Sequence, residues 1–108
     1  MADKKQLALL KKSVKEWNEW REKNPYANIS LREANLSGRN LNGVNLSDAD
    51  LRRANLSGAF LQESNFERAK LNKVNFRRAI LRWANLLNAD LSKAKLVGTD
   101  LAVTNLIA

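Results

Sequence analysis

The chain has 108 residues, no Cys and no His, and its 19 Lys and Arg outnumber 11 Asp and Glu for a formal charge of +8 and a pI near 10.2. That length is one domain's worth. Without Cys there is no disulfide framework or thiolate metal site, and without His the commonest general base, zinc ligand and near-neutral switch is missing. Residues 1–12 lack the apolar core of a secretory signal, and no stretch approaches the ~18 apolar residues needed to span a bilayer. The expected location is therefore the cytoplasm, with no membrane partner.

From Asp3 to about Lys23 the pattern is helical: Leu7, Leu10, Val14 and Trp17 form one apolar stripe at 3.6-residue spacing, with Trp20 at its edge. Asp3 followed by Gln6 reads as a capping box, and Asn24-Pro25 as a stop. The spacing predicts one α-helix within a leader of residues 1–25.

From Ile29 onward a different period begins. Leu31, Leu36, Leu41 and so on to Leu106 make sixteen successive positions five apart, fourteen Leu and two Phe (Phe66, Phe76), without a slip of register. Two residues before each stands a mostly small residue, such as Ala34, Val44, Ala49 or Ser64. Five fits neither a helix nor a flat strand. It fits a coil that bends every five residues, with the bulky and the small residue inside and the other three in water. Units this short cannot bury an apolar face alone, so they must stack into a solenoid. Gly38, Gly58 and Gly98, and the pair Phe60 and Ile80, fall at multiples of 20, which favours four sides of five.

The runs Ala34-Asn35-Leu36-Ser37-Gly38, Ala54-Asn55-Leu56-Ser57-Gly58 and Ala89-Asp90-Leu91-Ser92-Lys93 resemble the pentapeptide repeat family, with its A(D/N)LXX signature. The resemblance implies an all-β solenoid, a right-handed quadrilateral β-helix of about four coils over residues 26–108, here preceded by one α-helix. The stretch from Trp17 to Pro25 is similar to the helix-plus-Asn-Pro lead-in of some bacterial members. Some members act on DNA gyrase, a role that rests on a long rod with an acidic surface; this chain is short and basic, so that role is not carried over.

An open coil end exposes unpaired backbone and a disc of Leu side chains. Leu7, Leu10, Val14, Trp17 and Trp20 are expected to cap the first coil. Arg39 stands where a small residue is the rule, and is expected to reach the cap through Glu22. The columns Asn35, Asn55, Asn75 and Asn45, Asn65, Asn85, Asn105 serve the bends or stack upon one another. Asp50, Lys70 and Asp90, one coil apart, read as an ion-pair ladder rather than an acid–base trio. An interior filled by Leu and Ala leaves no room for a small-molecule substrate, and the scattered carboxylates suit neither metal nor cofactor, so no enzymatic role is expected.

Two surfaces remain. A basic one comprises Arg52, Arg53, Lys73 and Lys93 along one corner, with Arg77, Arg78 and Arg82 as a second cluster; it suits nucleic acid or an acidic partner. An apolar one comprises Phe60, Ile80, Trp83 and Leu87, joined toward the C-terminus by Val97, Val103, Leu106 and Ile107. The expected function is a non-catalytic protein–protein assembly module that self-associates, as a homodimer, through its apolar C-terminal coil. One alternative is electrostatic binding through the basic faces; another is a fragment whose repeats continue into a larger protein.

Overall fold

The computed structural model describes residues 1–102, 104 and 105. Its repeating element is a parallel backbone bridge between residues 20 apart: Ser30 with Asp50, Asn35 with Asn55, Asn40 with Phe60, Asn45 with Asn65, and the same register up to Asn85 with Asn105. Residues 30–49, 50–69 and 70–89 each complete one four-sided turn, and 90–105 follow in the next. We number the sides from their first residues: side one begins at Ser30, Asp50, Lys70 and Asp90, side two at 35, 55, 75 and 95, side three at 40, 60, 80 and 100, and side four at 45, 65, 85 and 105.

Each side is too short for a strand. Among the described residues every bridge is isolated, because a bend follows within two residues. The bend is a four-residue turn closed by a hydrogen bond such as Ala34 N–H to Leu31 O (3.1 Å) or Ala54 N–H to Leu51 O (2.9 Å). Its third residue lies in the left-handed region, as a type II turn requires. Glycine fills that place at Gly38, Gly43, Gly58 and Gly98, and ten other described residues occupy it with φ between 58° and 63°, among them Arg53, Lys73, Trp83 and Lys93. The Asn or Asp opening many sides secures the bend: Asn55 Oδ1 accepts the Ser57 N–H at 3.0 Å, and Asn65 Oδ1 the Glu67 N–H at 2.9 Å. Asn35, Asn55 and Asn75, like Asn45, Asn65 and Asn85, therefore serve the bends, whereas Asn42, outside these columns, reaches the next coil, accepting the Gln62 N–H at 2.8 Å.

The core is the stack of inward Leu, Phe and small residues from Ile29 to Leu86, all buried, with Phe66 and Phe76 edge to face at 5.8 Å. Ser64 is the polar member of this stack, and its hydroxyl donates to Leu61 O at 2.7 Å.

The leader is two helices rather than the single one expected: α1, Lys4–Lys12, and α2, Val14–Lys23. Ser13 separates them in an extended conformation (φ −166°, ψ 129°). Its N–H closes α1 on Leu9 O, and its Oγ accepts the Glu16 N–H at 3.1 Å to open α2. A Ser-x-x-Glu start signal thus lies inside the apolar stripe and outcompetes helix continuation. Leu10 and Trp17 are buried against the first coil, while Leu7, Val14 and Trp20 pack partly buried around them.

Candidate interaction surfaces

The first coil has no preceding coil to pair with, and the leader supplies substitutes on two of its sides. On side four, the Asn18 carboxamide donates to Gly43 O (3.0 Å) and accepts the Asn45 N–H (2.9 Å). Beside it, Trp17 Nε1 and Arg21 Nη1 both donate to Asn45 O, at 2.8 and 2.9 Å, and Arg21 Nη2 donates to Ser47 O at 2.8 Å. On side one, Gln6 donates to Asn28 O (2.7 Å) and accepts the Ser30 N–H (2.8 Å), and the Asp3 N–H donates to Ser30 O at 2.8 Å. Arg21 is buried with no salt bridge among the described residues, and that burial pulls its guanidinium pKa below the ordinary arginine value, opposed by the charge of Asp48.

Asn18, Arg21 and Gln6 are absent from the sequence-based cap. Arg21 was within reach, since it continues the stripe Leu10, Val14, Trp17 by one further turn. Arg39 makes no ion pair with Glu22; it is half-buried, and Arg21 performs the bridging instead. The ladder through Asp50, Lys70 and Asp90 does not form either. A residue two positions away on the same side is nearer than one in the next coil, so Asp50 takes Arg52 (2.7 and 2.9 Å) and Asp90 takes the Ser92 hydroxyl (2.5 Å). These local donors hold both carboxyls below the ordinary aspartate pKa.

Of the basic residues singled out, Arg53, Lys73 and Lys93 stack in one exposed corner column beneath Glu33. Arg77 and Arg78 are exposed on side two. Arg82 does not join them: it lies on side three and donates to Asp100 at 2.6 Å. A shallow groove on one flank of the corner is lined by Arg32, Arg53, Lys70 and Lys73, and a second on the other flank by Arg53, Lys73, Lys93 and Lys95.

The apolar residues are less unified. Phe60 (44% exposed) bridges Ile80 on side three, with Trp83 (54% exposed) at the end of that side, but Leu87 lies on side four and Val97 on side two. Val103, Leu106 and Ile107 lie outside the described residues. What unites the last coil is its inner layer. Leu36, Leu56 and Phe76 are fully buried, whereas Leu96, next in that column, is 39% exposed. Leu91 and Leu101 beside it are only partly buried.

The profile of pentapeptide repeats matches in 8 copies across residues 29–68, 49–88 and 84–107. The chain belongs to the pentapeptide repeat family. Among solved structures, a pentapeptide repeat protein from the Arabidopsis thaliana thylakoid lumen superposes with a TM-score of 0.65 at 32% identity, over 66% of this chain and 49% of that one. A pentapeptide repeat protein from Nostoc PCC 7120 gives 0.65 at 38% identity, over 68% of this chain and 61% of that one. The chain thus spans about half to three fifths of these pentapeptide proteins. Comparison with curated proteins gave no match. The family is one of structural repeat proteins and is generally non-catalytic. Among the described residues no three His, Cys, Asp or Glu are grouped as a metal would need, and no helix is long and apolar enough to cross a membrane.

Proposed function

We propose that this pentapeptide repeat protein is a non-catalytic assembly module that joins a second copy of itself through the exposed apolar layer around Leu96. The observation that carries this reading is the column Leu36, Leu56, Phe76, Leu96, in which only the last member is exposed. Around it the N–H groups of Leu91, Leu96 and Gly98 have no acceptor among the described residues, whereas the equivalent groups one coil earlier donate to Asp90, Lys95 and Val97. An apolar layer ringed by amides without an acceptor among the described residues favours a facing surface that covers both. Two-fold pairing of identical ends does so with the same residues on each side.

The test is the molar mass in solution, by light scattering at tens of micromolar and at two salt concentrations. A dimer that persists at high salt is expected, because apolar burial is not screened. Replacing Leu96 and Val97 together by Lys should give monomers with an unchanged far-UV spectrum. An unmodified chain that is monomeric at that concentration, a range suited to a modest interface, overturns the proposal.

A further inference from the structure

The formal charge of the repeats is polarised across the solenoid, a property invisible until the chain is wrapped at 20 residues per coil. Sides one and two hold ten cations against three carboxylates, a net +7, whereas sides three and four hold two cations against four carboxylates, a net −2. Pairing deepens the contrast. Both cations of the acidic half are neutralised, Arg68 by Asp48 and Glu67, and Arg82 by Asp100. On the basic half, among the described residues, Arg52 alone has a carboxylate within ion-pair distance, namely Asp50; of the other carboxylates there, Glu33 faces the N-terminal amine at 3.7 Å and Asp90 is held by Ser92.

Side two carries no carboxylate at all. One of its edges is the column Arg53, Lys73 and Lys93, with Lys95 beside it in the same groove. Arg77 and Arg78 line a groove toward the other edge. Between them run Asn35, Asn55 and Asn75, whose Oδ1 atoms are consumed by the N–H groups of Ser37, Ser57 and Arg77 at 3.3, 3.0 and 3.1 Å. Their Nδ2 groups have no acceptor among the described residues, so the strip between the basic edges offers a row of N–H donors.

We infer that this half of the solenoid, centred on side two, binds the phosphate backbone of a double-stranded nucleic acid without reading its sequence. The cations repeat at the coil spacing of ~4.8 Å, and a neutral row of N–H donors lies among them, a surface complementary to rows of anionic oxygens. Three competing ligands fit less well. Single strands are held by stacking on aromatic side chains, and sides one and two expose none. A membrane surface needs apolar residues to insert, and a protein partner needs apolar or aromatic anchors at a desolvated centre; the sole exposed large apolar side chains there are Leu96 and Val97, at its last coil.

The experiment is a titration of a fluorescent 20-base-pair DNA duplex with the full chain, read by anisotropy at 50 and 200 mM salt. Binding on the order of a hundredfold weaker at the higher salt is expected, from several phosphate contacts. The variant Arg53→Asn/Lys73→Asn/Lys93→Asn removes three charges at left-handed positions that Asn tolerates. It should flatten the logarithmic salt slope by about 2 to 3, at roughly 0.9 per lost contact. Arg68→Asn removes a charge from a turn of the same geometry on the acidic half and should leave the slope unchanged. Arg77→Gln/Lys95→Gln, outside the left-handed positions, should flatten it by about 2 on the same basis. Absence of binding at 50 mM salt overturns the inference. So does an Arg68→Asn loss equal to that of a single Arg53→Asn, or tighter binding to phosphatidylserine vesicles or polyglutamate than to the duplex.

Discussion

The carboxamide of Asn18 occupies the place of a missing strand beside Asn45, accepting its N–H at 2.9 Å while donating to Gly43 O at 3.0 Å. Within the coils, the backbone around the residue 20 positions earlier does the same work: Asn65 N–H donates to Val44 O at 2.9 Å. A side chain therefore imitates a peptide group. Gln6 repeats the device on side one with Ser30 and Asn28. Neither is replaceable by an apolar residue of similar size, because the first coil's amides would lose their partners. Asn18→Leu is expected to cost about 1–3 kcal/mol, the penalty of buried polar groups left unpaired, and Arg21→Met should cost at least as much. Urea unfolding checks both; a change within ~0.5 kcal/mol for either would mean that water replaces the helix at that edge.

How much of this was legible beforehand follows from where each interaction is encoded. The inward Leu and Ala positions were readable because each unit from Leu31 to Leu86 buries its Leu or Phe in the same place, most with a small residue before it, and the sequence pattern recurs sixteen times. The 20-residue turn was readable from Gly38, Gly58 and Gly98. The break at Ser13 was encoded locally by Ser13 and Glu16 but overshadowed by the apolar stripe running through it. Asn18 and Gln6 could not be assigned, since their roles depend on the angle at which the leader meets the coil; Arg21 lay on the stripe, but its charge set it apart from the apolar cap residues. Likewise the ion-pair ladder failed at Asp50 because the choice between Arg52 and Lys70 is decided by reach, not by register. The polarity of charge was present in the sequence and needed only summation by side.

The inward and outward positions should differ sharply on truncation. Leu56 is wholly buried between Leu36 and Phe76, and Leu56→Ala is expected to destabilise by roughly 2–5 kcal/mol. Its neighbour Ser57 is half-exposed, and its hydroxyl donates to Asn55 Oδ1, so Ser57→Ala should cost under about 1 kcal/mol. Equal losses at the two sites, in the same denaturant titration, would contradict the buried stack.

Ten non-glycine residues among those described sit in the left-handed region, a conformation costing about 1–2 kcal/mol for most L-residues. Lys73, at φ 61°, is one whose side chain is exposed. Lys73→Asn should leave the melting temperature unchanged or raise it, because Asn visits that region readily. Lys73→Val should lower it, because a branched Cβ crowds the turn. Thermal melts of the pair isolate the backbone term, since both variants remove the same charge. A lower melting point for Asn than for Val would refute the assignment.

The pH dependence has a definite sign. Asp48 is held below the ordinary aspartate pKa chiefly by its hydrogen bonds from Arg68, Asp50 by Arg52, Asp90 by the Ser92 hydroxyl, and Asp100 by the Ala102 N–H and then Arg82. A carboxyl that binds its proton less readily when folded stabilises the fold wherever it is ionised, above the unfolded value near ~3.9. That stabilisation is lost as pH falls through the lower, folded values, when the unfolded chain takes up protons first. The sequence has neither His nor Cys, the side chains that ordinarily titrate between pH ~6 and ~9. Stability against urea should therefore be nearly flat from pH ~5 to ~8 and fall only below pH ~4. Asp50→Asn should blunt that acid loss, since Asn accepts the Arg52 N–H of the turn without a proton to gain, while lowering the plateau slightly through loss of the Arg52 ion pair. An acid loss of the same size in Asp50→Asn would move the titrating group away from the turns.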